Sequence, residues 1–376
     1  MKTNLILLLG STLFFLGMAE FVLRVNISEI QDLQRTLFWS SSVYNTEEDG
    51  SIHYLADSEI REVMIYDEEI EYDHLFKTNN YGYADTEKYD PDKDNQTPNY
   101  VIVGDSFTVA EGSQPWVPKL RKNLESKFGV RSFSLFNLGL GGAGIEHFYK
   151  NLKFFSKKFN IDHIIIVAIS DDFHRLMWTP LVKNNEVRFC PEGEALFVCS
   201  KRKPIARIID KMTKSADLIF EASKIRKLEQ QKKTRFKEQG FVDERVLRKS
   251  RFFGLLYSYL NSEPIFAAGE NEQKIGESLL SYLENRNFEV LSKISKDFPQ
   301  SKIQLIQLPE KSEVISGKYS LDLKNDVLKT GIDYYPALYK CEWTEEMFLP
   351  HDPHPNERGY KNIMNCIESH LVSSSF

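Results

Sequence analysis

The chain has 376 residues, a hydrophobic fraction of 41% and 26 phenylalanines, which suits one large α/β domain or one domain carrying an insertion. Its formal net charge of −6 argues against a general nucleic-acid binder and leaves the fold open. Four cysteines with no CxxC pair disfavour a zinc site built on thiolates.

Residues 1–24, MKTNLILLLGSTLFFLGMAEFVLR, hold a single ionisable side chain, Glu20, between Asn4 and Leu23. Twenty residues rising ~1.5 Å each span about 30 Å, the thickness of a bilayer core. Lys2 lies before the run and Arg24 after it, so the charges give almost no orientation. Gly17 and Ala19 fit the small-residue end of a cleavable signal, while the apolar continuation through Phe21-Val22-Leu23 fits an uncleaved anchor. A buried N-terminal helix is the third reading. Either export reading places the rest of the chain outside the cytoplasm, anchored in the cell envelope or secreted. The sequence-local pairing Cys190–Cys199 and Cys341–Cys366 suits that setting, with four reduced thiols as the alternative.

Residues 25–98 are polar, acidic and rich in Tyr, Asp and Asn, and are expected to form an irregular lead-in packed on a main domain at 99–376. From 99 onward the pattern alternates. Strand Tyr100–Val103 precedes a helix near Trp116–Lys127, and a short strand near Ser132–Asn137 precedes a glycine-rich turn and a helix at Ile145–Phe159. A strongly apolar strand follows at His163–Ile169. This alternation predicts βαβ units and a parallel sheet. Residues 180–200 read as a hairpin turning at Pro191–Glu194, at the start of an insertion over about 180–262. Within it, 201–251 carries 17 Lys/Arg against 7 Asp/Glu, a local balance of +10, with a charged helix near Ala222–Gln239. Its plain reading is a solvated helical face, and its sharper one a contact for an anionic membrane surface or acidic glycan. The α/β pattern resumes with a helix near Ile275–Phe298, strand Ile303–Leu308 and a final helix at Glu357–Leu371.

The stretch VIVGDSFTVAEG at 101–112 ends a buried strand on Ser106, where ligands of open α/β sheets bind. A serine hydroxyl needs a base, and His354 stands in FLPHDPHPNERGY (348–360) with Asp352 two residues earlier in a proline-stiffened loop. His351 is the weaker candidate for the base. The backbone N–H of Ser106 offers one donor to a developing oxyanion. The loop Asn137–Gly144 offers another, since its glycines let the backbone approach a ligand. Gly139-x-Gly141-x-x-Gly144 also matches a dinucleotide fingerprint formally and could be a structural turn. VAISDDF (167–173) places Asp171 and Asp172 at the same carboxyl edge, facing the cleft or capping a helix.

Taken in order, GDSFT (104–108), NLGLGGAG (137–144), SDDF (170–173) and DPHPNERGY (352–360) resemble the SGNH, or GDSL-type, serine hydrolases, particularly exported bacterial members. TNNYGYAD (78–85) and LIQLPEKSEV (305–314) add to the likeness, which covers about 78–180 and 285–372. The resemblance implies a three-layer, flavodoxin-like α/β sandwich with Ser106 as nucleophile, His354 as base and Asp352 as its partner. It also implies an oxyanion hole from Ser106, Gly142 and the position of Asp171, with no cofactor or metal. In three places the chain departs from the family. Asp171-Asp172 stands where the family has Asn-Asp, and an ionised Asp171 would repel an oxyanion unless burial keeps it protonated. Ala110 replaces a common glycine, and His351 occupies the position three before His354 where many relatives carry the aspartate. The functions that follow are an ester hydrolase acting on acylated envelope glycans or lipid esters, an O-acetyltransferase using the same site, or a glycan-binding module with degenerate chemistry.

Overall fold

The computed structural model describes residues 35–130, 132–209, 215–237 and 270–374. The apolar run 4–23 lies outside them, and among the described residues no helix is long and apolar enough to cross a membrane. The chain divides into two compact units, Arg35–Ile219 with Ser281–Phe376, and Met1–Gln34 with Phe220–Leu280. In the second unit the described residues are helical. They belong to the helices Ser215–Lys237, which overlaps the expected charged helix, and Glu270–Asp297.

The first unit opens with strands β1 (Arg35–Trp39), β2 (Tyr44–Thr46), β3 (Ile52–Tyr54), β4 (Glu59–Tyr66) and β5 (Glu69–Lys77). This corrects the expectation of an irregular lead-in. β5 alternates as strands do, with Tyr72, His74 and Phe76 buried and Asp73, Leu75 and Lys77 exposed. The signal is weak in sequence because the inward residues include Glu62 and His74, both buried. Asp67, at φ 50°, closes the β4–β5 turn.

The central sheet is built from β6 (Asn99–Gly104), β7 (Ser134–Asn137) and β8 (His163–Ala168), and later β12 (Lys302–Gln307) and β13 (Asp333–Pro336). All pairings are parallel, in the order β13-β12-β8-β6-β7. This is the α/β fold with a central parallel sheet that the alternating pattern predicts. Every residue of β6 is buried. Tyr100, Ile102, Ile165, Val167 and Ile306 share one face with Leu120 and Leu124 of the helix Val117–Phe128 and with Ile363, Ile367 and Leu371 of the final helix Glu357–Ser374. Each such aliphatic side chain contributes about 1.5–3 kcal/mol on burial.

Between β8 and β12 run β9 (Trp178–Lys183), β10 (Glu186–Pro191) and β11 (Ala206–Ile208). They join β1, β4 and β5 in a second sheet ordered β5-β4-β1-β11-β10-β9. The β9–β10 hairpin turns at Asn184-Asn185, with φ 53° and 57°, and not at Pro191–Glu194 as expected. Two asparagines that tolerate the left-handed region satisfy a two-residue turn matched to strand twist. Pro191–Glu194 leads instead into a short helix, Leu196–Cys199. Disulfides join Cys190 to Cys199 and Cys341 to Cys366.

Candidate active site

β6 ends on Gly104 because nothing larger fits. A Cβ there would lie 2.1 Å from Thr108 Oγ1 and 2.4 Å from the Val167 carbonyl oxygen. Asp105 then caps a four-residue helix, Ser106–Val109, accepting from the Phe107 N–H at 2.9 Å. The helix closes on Ala110, held at φ 68°, a left-handed position that favours glycine. The β6–β8 neighbourhood is where the strand order reverses, and Ser106 sits at that crevice.

His354 and Asp352 arrive from the other end of the chain. Their loop is pinned by the Phe348–Pro355 bridge and by the Leu349 N–H donating to the His354 carbonyl at 2.9 Å. His354 Nε2 lies 2.7 Å from Ser106 Oγ, and Asp352 Oδ1 holds Nδ1 in a short hydrogen bond. Asp352 also accepts the His354 N–H at 3.1 Å, so the i, i+2 pair is locked from both ends. His351 is exposed, with its Nε2 3.9 Å from Glu69.

The second sheet contributes partners that the sequence did not signal. Tyr66 of β4 donates to Asp352 Oδ2 at 3.1 Å, and Arg35 Nη2 lies 3.9 Å from the same oxygen. Tyr72 of β5 donates to Glu111 at 2.8 Å. Glu111 Oε2 stands 3.7 Å from His354 Nε2. Burial by itself would raise Asp352, but the hydrogen bond and charge of His354, with Arg35, hold it down at about 2. Burial opposes charge on His354, yet Glu111, then Asp352 and Asp105, raise it to about 9. Glu62 is pushed up to about 8 by burial and by Glu111.

The glycine-rich loop lies against the Ser106 turn, with the Leu140 N–H donating to the Gly104 carbonyl at 3.0 Å. Tyr54 accepts the Gly141 N–H at 2.9 Å and Tyr44 donates to the Gly141 carbonyl at 3.1 Å. Gly142 has φ 73°, and a Cβ on it would meet Phe189 Cε2 at 2.6 Å. Its carbonyl accepts from Trp178 Nε1 at 2.7 Å. Among the described residues no protein group accepts the N–H of Ser106 or of Gly142, so both remain available to an anionic oxygen.

Asp171 is placed differently from the other candidates. Its side chain is 50% exposed and accepts from Arg175 Nε at 2.9 Å and Nη2 at 2.8 Å. Asp172 is the buried one, accepting the Ile169 N–H at 3.0 Å and Arg175 Nη1 at 2.7 Å. Burial and Asp105 push it well above the usual carboxylate range. Arg175 Nη1 also reaches Asp105 at 3.0 Å and the Ala143 carbonyl at 2.9 Å. One guanidinium thus ties the serine turn to the glycine loop. Arg175 could have been found four residues after Asp171, and Glu111 three after Thr108, but neither spacing alone announces a role.

A hydroxyl, an imidazole and a buried carboxylate in line, beside two open backbone donors at the edge of a parallel sheet, define the class of α/β serine-hydrolase sites. The sequence model of the GDSL-like lipase/acylhydrolase family matches residues 100–367, well over half of the chain, and the chain belongs to that family of ester-bond hydrolases. Solved structures similar to it include a lipase/acylhydrolase from Enterococcus faecalis, at 11% identity, 74% coverage of this chain, 96% of that chain and a TM-score of 0.32. A lipolytic G-D-S-L family member from Veillonella parvula is similar at 13% identity, 74% and 100% coverage, and a TM-score of 0.32. No curated protein matches the chain.

Proposed function

We propose that this chain hydrolyses esters through a covalent acyl-enzyme on Ser106, acting on O-acyl groups of cell-envelope glycans or on lipid esters. The observation that carries the reading is the 2.7 Å contact from His354 Nε2 to Ser106 Oγ, with Asp352 on the opposite ring nitrogen. Neutral His354 takes the Ser106 proton as Oγ attacks the acyl carbonyl carbon. The oxyanion so formed meets the N–H groups of Ser106 and Gly142. The tetrahedral species collapses, and His354 returns the proton to the leaving alcohol oxygen. Water then attacks the acyl-enzyme by the same route and releases the carboxylic acid. Asp352, held ionised, keeps Nδ1 protonated and stabilises the imidazolium.

The site residues, the envelope setting and the substrate class are part of the proposal. Residues 4–23 would serve as anchor or signal, and two disulfides suit an oxidising compartment. The test compares the parent with Ser106→Ala on p-nitrophenyl acetate and with a fluorophosphonate probe. The expected result is loss of labelling and a fall in rate of at least about 10⁴-fold. Equal labelling of the variant would remove Ser106 from the mechanism. Acetate release from an O-acetylated oligosaccharide, set against acyl release from a phospholipid, then decides the substrate.

A further inference from the structure

The short helix Leu196–Cys199 presents an unusual surface. Leu196 is 66% exposed, Phe197 66% and Val198 41%, three consecutive apolar side chains facing outward. Cys199 is fully buried and bonded to Cys190 of β10, so the helix is fastened from behind and cannot fold its apolar side inward. Lys201, Arg202 and Lys203 follow it, all exposed. Arg202 pairs with Glu194, and Lys201 Nζ stands 5.8 Å from the Phe197 ring centre.

We propose that this helix is a membrane-docking tip: Leu196, Phe197 and Val198 enter the boundary between headgroups and acyl chains, while Lys201 and Lys203 meet anionic headgroups. An apolar wedge with a cationic fringe is the composition that binds a lipid interface. A second copy of the chain is a poorer occupant. It would set like charges against each other, and three side chains offer well under the about 800 Å² per partner of a stable interface. β10 also brings Phe189, next to Cys190, against Gly142. Docking would hold that wall of the site beside the lipid, whatever ester the site takes.

Because residues 4–23 can hold the whole chain on vesicles, bulk binding does not test the tip, and a local reporter does. Phe197→Trp in the full chain is mixed with vesicles of phosphatidylglycerol and brominated phosphatidylcholine, and its fluorescence is compared with that of the parent chain. The added emission is expected to be quenched by bromine and shielded from aqueous acrylamide. Adding Lys201→Glu and Lys203→Glu should relieve the bromine quenching. An added tryptophan that stays open to acrylamide and untouched by bromine, on vesicles that carry the chain, overturns the proposal. So does shielding that appears without vesicles and grows with protein concentration, which would identify a second copy as the occupant. Quenching that survives both lysine substitutions overturns the headgroup contact.

Discussion

In the proposed mechanism His354 must lose a proton before it can activate Ser106. Held at about 9, it is mostly imidazolium at neutral pH, and the neutral fraction grows tenfold per pH unit up to that point. The expected kcat/KM on a neutral ester therefore climbs with pH and levels off near 9. Glu111 is the first cause of the upward shift, and it lies 3.7 Å from Nε2. Glu111→Gln is expected to move the midpoint down by about one unit, read from the pH–rate profile of the purified variant. Tyr66→Phe removes the donor to Asp352 Oδ2 and is expected to cost about 1.5–3 kcal/mol in urea unfolding, because the bond goes to a buried charge. Asp171 is exposed and paired with Arg175, so Asp171→Asn is expected to change kcat by less than about threefold, in line with the small worth of exposed ion pairs. A large gain in kcat would mean that the asparagine of other family members supplies a donor this chain lacks.

The elements differ in how openly the sequence declares them. β6, β8 and β12 are short apolar runs ending at polar residues, so the carboxyl edge of the sheet, with Ser106 just past β6, could be read from local pattern, while the order of the family-like blocks pointed to the His354 loop. β1–β5 could not. Their inward faces mix Glu62, His74 and tyrosines with aliphatics, and their value lies in contacts far along the chain, such as Tyr66 to Asp352 across 286 residues. The hairpin turn is hidden in a similar way, since Pro-Glu-Gly-Glu is the stronger turn signal by composition while Asn184-Asn185 has the geometry. The final helix is tied down by Cys341–Cys366, which closes a 25-residue separation around the loop bearing Asp352 and His354. Replacing both cysteines by serine is expected to lower stability by about 3 kcal/mol in urea unfolding, and to slow turnover as that loop loosens.

Stability and activity of the molecule are expected to run in opposite directions with pH. His354 is raised from 6.5 to about 9, so its stabilisation is complete below 6.5 and lost as pH rises through 9. Glu62 is raised from 4.5 to about 8, and its ionisation over that window also works against the fold. Both groups bind more protons folded than unfolded. Asp352, depressed from 3.8 to about 2, acts oppositely, and its contribution disappears only in strong acid. Burial holds His74 and His147 down at about 4, so below pH 6.5 they act in the opposite sense, and above it they are neutral folded and unfolded. Thermal melts at constant ionic strength should therefore show Tm falling from about pH 7 to pH 9, while kcat/KM rises over the same range.

The family match begins at residue 100, yet Arg35, Tyr44, Tyr54, Tyr66 and Tyr72 precede it and hold the acid, the glycine loop and Glu111 in place. A fragment trimmed to that boundary would keep the GDSFT, NLGLGGAG, SDDF and DPHPNERGY blocks and discard the clamp that positions them. It would inherit a signature without the means to use it, and in such a piece the ring nitrogen and the hydroxyl would drift apart.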